Sequence, residues 1–256
     1  MLRCVSALQQ AFGKRRCRVS VEQCLAARNV RAVTCTTNGL LDGFIEPMGN
    51  EYSDGFRIHL NASSPEPRRK FTLAHEICHT FFYEAVPELK FVHHGVDPCE
   101  ERLCNVGAAE LLIPEAHVRR LAQQFPIGLR ALESIAGEYG VSMECALIRL
   151  VALRMWNAQL SVWKSSATED SACISRYGLG RAGEWSWKER EVERGAWAAG
   201  DRGYKCGRTY IEYSRGDSRG VLPVYYESQR RGNLLIVLWA RSRCKAKTAA
   251  SQSALF

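Results

Sequence analysis

Residues 70–80 read KFTLAHEICHT, and three of them, His75, Glu76 and His79, are of types that together can hold and use a metal ion. Histidines four apart on a helix present two imidazoles to one ion, and a glutamate one step round the helix lies beside a water that the ion activates. The chemistry on offer is metal-assisted hydrolysis. A catalytic zinc site needs a third protein ligand and leaves a fourth position open. A third histidine six residues on is ruled out, because that position is Ala85. His93, His94, Asp97, Glu100, Glu101, Glu110 and His117 remain as candidates. A ligand on a second helix packed against the first is held more firmly than one on a loop, which favours Glu100, Glu101 or Glu110. Tyr83, His93, His94 and Tyr139 are candidates for an oxyanion donor, with His93 and His94 read chiefly as loop residues.

The elements around the motif must position it. At 100° per residue, Leu73, Ala74, Ile77 and Phe81 fall on one apolar face of its helix; His75, His79 and Thr72 fall opposite, with Glu76 beside them. Upstream, residues 20–33 read as a short helix opened by Ser20 as N-cap with Gln23 three residues on. DGFIEP and GFRIHLN read as a strand pair across the turn-rich MGNEYSD. In the second of them Phe56, Ile58 and Leu60 alternate with Arg57, His59 and Asn61. An exposed edge on that strand would be a platform for an extended peptide. Downstream, PCEERLCNVGAAELLIP (98–114) reads as a second helix bounded by its prolines, and residues 115–155 as further helices. From about residue 160 the character changes: SVWKSSATEDSAC reads as a linker, and RTYIEY, VLPVYY and NLLIVLWA as strands. The predicted domains are 1–160, carrying the site, and 161–256, of unknown role.

Length and composition agree with a folded chain: 256 residues, 46% apolar and 24% charged. The longest apolar run, LLIVLWA, is far too short to span a membrane, and the N-terminal stretch lacks a secretory pattern, so a cytoplasmic location is expected. Eleven scattered cysteines with no C-x-x-C pair argue against a disulfide framework and a zinc knuckle, and most read as small buried apolar residues. The net charge of +8 suits nucleic acid or acidic protein surfaces without specifying either, and reads first as a solvated basic surface.

The two motifs together resemble a known family. RRKFTLAHEICHTFFYE followed by ERLCNVGAAELLIP is similar to the ImmA/IrrE metallo-endopeptidases, with their R-x-R-F-T-x-A-H-E-x-x-H and E-x-x-(A/C)-N-x-F-A-x-x-L-L-(M/I)-P patterns. YGVSMECALIRL also resembles a helical segment of that family, and the similarity spans roughly residues 20–155. One departure is Gly107, where the pattern has Phe. The resemblance implies an α+β fold: a zincin-like domain with a small antiparallel sheet, an active-site helix and a helical bundle, then a smaller β-rich or α+β, GAF-like domain. It implies His75, His79 and Glu101 as metal ligands and Glu76 as catalytic base. The implied cofactor is zinc, with Mn2+ as the alternative ion. The implied activity is endopeptidase cleavage of a helix-turn-helix repressor in stress or mobile-element regulation.

A reading of another class competes. ESIAGEYGVSMECALIRL (133–150) has the turn spacing of a DNA-binding helix-turn-helix, with Ala136 and Gly140 at acceptable positions. In that reading the protein is a transcriptional regulator with a structural or silent metal site. Against it, SMECALIRL offers one Glu and several apolar residues where base-reading groups are wanted.

Overall fold

The computed structural model describes residues 1–12, 20–37, 41–49, 52–85, 97–164, 172–178, 204–215 and 218–240. Seven helices and eight strands are found among them: α1 (Leu2–Phe12), α2 (Val21–Ala27), β1 (Val30–Thr36), β2 (Gly43–Pro47), β3 (Phe56–Asn61), α3 (Glu66–Ala85), α4 (Pro98–Leu112), α5 (Glu115–Gln123), α6 (Leu129–Tyr139), α7 (Met143–Ala152), β4 (Ala158–Lys164), β5 (Ala172–Gly178), β6 (Tyr204–Arg215), β7 (Ser218–Arg231) and β8 (Leu234–Ala240). They form two compact units, residues 1–117 with 137–142, and residues 118–136 with 143–256. No helix among the described residues is long and apolar enough to cross a membrane.

In the first unit, Ser20 opens α2 with a full capping box: its hydroxyl accepts from the Gln23 N–H at 3.2 Å, and Gln23 returns a bond to the Ser20 N–H at 3.0 Å. The helix does not run to residue 33 as the sequence suggested. It ends at Ala27, Asn29 takes a left-handed φ of 56°, and the β-branched run from Val30 becomes β1. That strand pairs in parallel with β3, while β2 pairs with β3 antiparallel. The sheet is therefore mixed, not antiparallel, in the order β1-β3-β2. The strand read as a candidate edge, GFRIHLN, is the central one, so both its ladders are already filled. Its alternation holds: Phe56, Ile58 and Leu60 are buried, and Arg57, His59 and Asn61 are half-buried. On the polar face, His59 joins the three strands, with Nδ1 2.8 Å from Thr34 Oγ1 and Nε2 3.0 Å from Glu46 Oε1.

Helix α3 is the central rod of this unit, packed against α2, α4, β2 and β3. Ala74, Ile77 and Cys78 are fully buried, and Thr72 and Glu76 nearly so, so neither face is an open surface. Two devices fix it. At its C-terminal third, the Arg28 guanidinium donates to Thr80 Oγ1 (2.9 Å) and Thr80 O (3.1 Å) and lies 3.9 Å above the Phe81 ring. Near its start, Gly43 of β2 comes so close that an added Cβ would lie 2.6 Å from Thr72 Cγ2. Helix α4 follows the sequence reading at both ends: Asp97 is the N-cap, accepting from the Cys99 N–H at 2.8 Å, and Pro98 fills the first turn. Helix α1, not foreseen, buries Val5 and Leu8 and packs on α4. Gly107 explains the departure from the Phe of the family pattern. A Cβ there would lie 2.6 Å from Cys78 Sγ and 2.9 Å from Met1 Cγ, so the space behind α4 is already filled from α3 and the N-terminus.

The second unit is built on an antiparallel five-stranded sheet in the order β5-β4-β8-β7-β6. Residues 161–164, expected to open a linker, are the second half of β4. That strand is buried from Ala158 to Trp163, and its one hydroxyl is fully used: Ser161 Oγ accepts from the Trp163 indole at 3.0 Å and the Trp239 indole at 2.9 Å. Glu227 of β7 accepts from the Leu129 N–H at 2.6 Å at the start of α6, and Arg231 pairs with Glu133 one turn later. Helix α7 packs on β4 and β5 and buries Ala146, Leu147, Arg149 and Leu150. Cysteines are less buried than expected: among the described residues Cys24, Cys78 and Cys104 are buried, while Cys4, Cys35, Cys99 and Cys206 are exposed.

Two substitutions test this packing. Gly107→Val should lower stability by about 1–3 kcal/mol through overpacking against Cys78, read as a reduced urea midpoint with an unchanged slope. Ser161→Ala removes the acceptor that two buried indole N–H groups share and should cost about 2–4 kcal/mol, with a change in tryptophan fluorescence of the folded chain.

Candidate metal centre

Successive turns of α3 carry His75 and His79; α4 lies against them and offers Glu100, Glu101, Cys104 and Asn105 from one side. The imidazoles meet through their Nε2 atoms, 3.0 Å apart. Glu101 closes the triangle, with Oε2 3.2 Å from His75 Nε2 and Oε1 3.3 Å from His79 Nε2. Each ring is held from behind: His75 Nδ1 is 3.1 Å from Asn105 Oδ1, and His79 Nδ1 is 2.6 Å from Glu100 Oε1. The histidine side chains are 12% exposed and that of Glu101 is 35% exposed, so the cluster opens to solvent on the Glu101 side.

With both rings neutral, these contacts place the ring hydrogens. A carboxylate only accepts, so His79 carries its hydrogen on Nδ1 and donates it to Glu100; His75 does the same toward the Asn105 carbonyl. Both Nε2 atoms then point bare lone pairs at one another and at a carboxylate. Three acceptors within 3.0–3.3 Å with no proton among them repel. A divalent cation between them makes every one of those contacts attractive, and two imidazoles with a carboxylate is a donor set that suits zinc. Burial, with His79 adding to it, also holds the His75 imidazole below its usual pKa, which favours the neutral, ligating form.

The other candidates are committed elsewhere or lie outside the described residues. Asp97 caps α4. Glu110 is buried and accepts from the Glu115 N–H at 3.3 Å. His117 pairs with the Tyr139 hydroxyl at 3.2 Å, which also occupies one proposed oxyanion donor. His93 and His94 fall in residues 86–96, outside the described set. Cys104 was not foreseen: its Sγ and the two histidine donor atoms all lie within 4.8 Å of one another. Glu101 reaches both Nε2 atoms, at 3.2 and 3.3 Å, while the Cys104 thiol lies within 4.8 Å of the histidine donor atoms. Burial, with nearby Cys78 and the carboxylates adding to it, raises the Cys104 thiol above its ordinary pKa.

Glu76 follows His75 on the same turn and is buried. Burial lifts its carboxyl to about 7; His79 works against that shift, and the Glu101 charge adds to it. A carboxylate poised near neutrality suits proton transfer at physiological pH. Tyr83 lies one turn beyond His79, its ring 5.2 Å from that of Phe56. Its hydroxyl is pushed up by burial and then by the charges of Glu100 and Glu76, which sets it beside the same cluster. The sequence reading weighed Glu100 only as a rival ligand and passed over Asn105. The signal for both was their place near Glu101 on the same helix: Asn105 four residues on shares its face, and Glu100 one residue before it lies a step round the helix.

Glu101→Ala should drop bound zinc well below one ion per chain, measured by elemental analysis after dialysis, with helix content retained. Full occupancy in that variant would transfer the ligand role to Cys104.

The stretch that carries this cluster is similar to known metalloproteases. Residues 42–151 match the peptidase family M78 profile described as the IrrE N-terminal-like domain. The radiation response metalloprotease IrrE of Deinococcus radiodurans is 32% identical over 117 residues, 44% of this chain and 34% of the relative. The protein of the same name from Deinococcus deserti is 33% identical over 135 residues, 49% of this chain and 48% of the relative. The chain thus spans a half or less of the length of these relatives. A solved structure titled Mycobacterium tuberculosis transcriptional regulator shares the fold, with a TM-score of 0.53 over 100% of this chain and 80% of that one, at 13% identity. The HExxH helix and the glutamate-bearing helix packed on it lie within the matched stretch, so that stretch is similar to an IrrE N-terminal-like peptidase domain.

Proposed function

We propose that the chain is a zinc-dependent endopeptidase with His75, His79 and Glu101 as metal ligands and Glu76 as catalytic base. The observation that carries this reading is the convergence of two imidazole nitrogens and a carboxylate at 3.0–3.3 Å on two packed helices. Zinc bound there supplies Lewis-acid polarisation of a carbonyl and acidifies a water toward neutral pH. The chain's own residues supply the rest. The exposed side of Glu101 leaves room for substrate, and buried Glu76 accepts the water's proton and returns it to the leaving amine. Because β3 is central, a peptide-pairing role passes to β2, which among the described residues pairs only with β3. Its first residue, Gly43, abuts Thr72, one turn before Glu76.

The substrate we infer is a helix-turn-helix repressor, in stress or mobile-element regulation within the cytoplasm. That inference rests on the family resemblance and on the radiation-response naming of the Deinococcus relatives. The antiparallel sheet of the second unit, in which the unit's first and last strands lie side by side at the centre, suits a GAF-like sensory role. The DNA-binding alternative is disfavoured. Although α6 and α7 are joined by a turn at Gly140 (φ 59°), α7 is committed to packing on β4 and β5, and its single arginine is buried.

Glu76→Gln should keep one zinc per chain and lower cleavage of a co-expressed helix-turn-helix repressor by about 10²–10⁴-fold. Chelation of the wild-type chain should abolish cleavage and added zinc restore it. Cleavage by Glu76→Gln at the wild-type rate would remove the assigned base.

A further inference from the structure

The two glutamates at the start of α4 are adjacent in sequence, and their carboxylates do different things. Glu101 faces the Nε2 side of both rings, whereas Glu100 reaches behind His79 to its Nδ1 at 2.6 Å. Asn105, one turn further along α4, reaches behind His75 to its Nδ1 at 3.1 Å. We propose that Glu100 and Asn105 are positioning residues that orient and tune the two imidazoles, so that α4 supplies one ligand and both of the outer partners that hold the other two.

The hydrogen bonds also differ in kind. That from His79 to Glu100 is short and goes to a charged acceptor; that from His75 to Asn105 is longer, neutral and exposed. A charged acceptor behind a ligating imidazole raises the electron density at its metal-facing nitrogen, while a neutral amide chiefly fixes the ring's rotation. His79 is thereby the stronger donor of the pair, and Glu100 matters more than Asn105. Outer partners of this type are worth about 10–100-fold in metal affinity. Position 105 has the opposite prospect to position 100: exchanging its amide for a carboxylate turns a neutral partner into a charged one without changing length. A residue that merely holds the helices together would not respond with that sign.

This inference rests on the metal-centre reading above, and the test separates the two. Zinc affinity of the full chain is measured by competition with a chelator of known strength, alongside the visible spectrum of the Co2+-loaded protein. Glu100→Ala should weaken zinc binding about 10–100-fold, keep one ion per chain at saturating zinc, and shift the cobalt bands. The near-isosteric Glu100→Gln, which keeps an acceptor and loses the charge, should fall between Glu100→Ala and wild type, and guards against a folding defect. Asn105→Ala should weaken binding less than Glu100→Ala, and Asn105→Asp should tighten it. Wild-type affinity in both Glu100 variants overturns the role of Glu100. Loss of stoichiometric binding in Glu100→Ala, as expected for Glu101→Ala, would make Glu100 a ligand and overturns it equally. Failure of Asn105→Asp to tighten binding overturns the role of Asn105. A wild-type chain that binds no zinc overturns this inference and the metal-centre reading together, whereas wild-type binding with indifferent Glu100 and Asn105 variants overturns the inference alone.

Discussion

Two imidazole nitrogens 3.0 Å apart, both facing a carboxylate, form an arrangement that a protein keeps only when other contacts enforce it. Much of the first unit can be understood as that enforcement. The Asp97 cap and Pro98 fix where α4 begins, and therefore which residues of its first turns face α3. Gly107 lets the helices approach until no side chain fits between them at that level. Arg28 ties the far end of α3 to the corner between α2 and β1 through bonds that satisfy a buried threonine. The sheet completes the frame from the other side, and Gly43 is the point at which strand and helix come closest. The polar cluster is thus held in place by largely apolar packing that takes no part in its chemistry.

The second unit solves a different problem with similar economy. A strand buried on both faces has no room for unpaired polar groups, yet β4 carries a serine at its centre. Two indoles, one from β4 and one from β8, turn that serine into a shared acceptor and register the strands on each other. Elsewhere in the unit, arginines lie over tyrosine rings. Arg208 lies over the Tyr225 ring at 4.9 Å, and Arg130 over Tyr204 at 5.4 Å.

Much of the centre was legible in the sequence because its signals are local. Histidines four apart, a proline-bounded helix and a capping aspartate are set by neighbours a turn away, and Ser20 with Gln23 announced its capping box in the same manner. What local signals miss is pairing between distant segments. The sequence Asn29-Val30 could continue or break a helix, and only partnership with β3 made the following residues a strand. For the same reason β3 looked like an edge: nothing within it says that a strand twenty residues earlier lies alongside. Residues 161–164 failed in the opposite direction, since a Ser and a Lys around two apolar residues suggest a linker until the tryptophan partners of Ser161 are seen. Of the candidate site itself, the clustering residue types could be read but not which side of the rings each one meets. Which of two neighbouring glutamates meets the near side of the rings and which the far side depends on the rotation of α4 about its own axis.

Helices α3 and α4 contribute every member of the cluster, and the chain between His79 and Glu101 must leave one helix and return along the other. An ion gripped from both sides therefore behaves as a cross-link. It closes a loop of roughly 20 residues, a constraint that in a disulfide is worth about 3 kcal/mol against the unfolded chain. The centre would then serve the architecture as well as the chemistry: an ion bound there would tie α3 to α4 and oppose their separation.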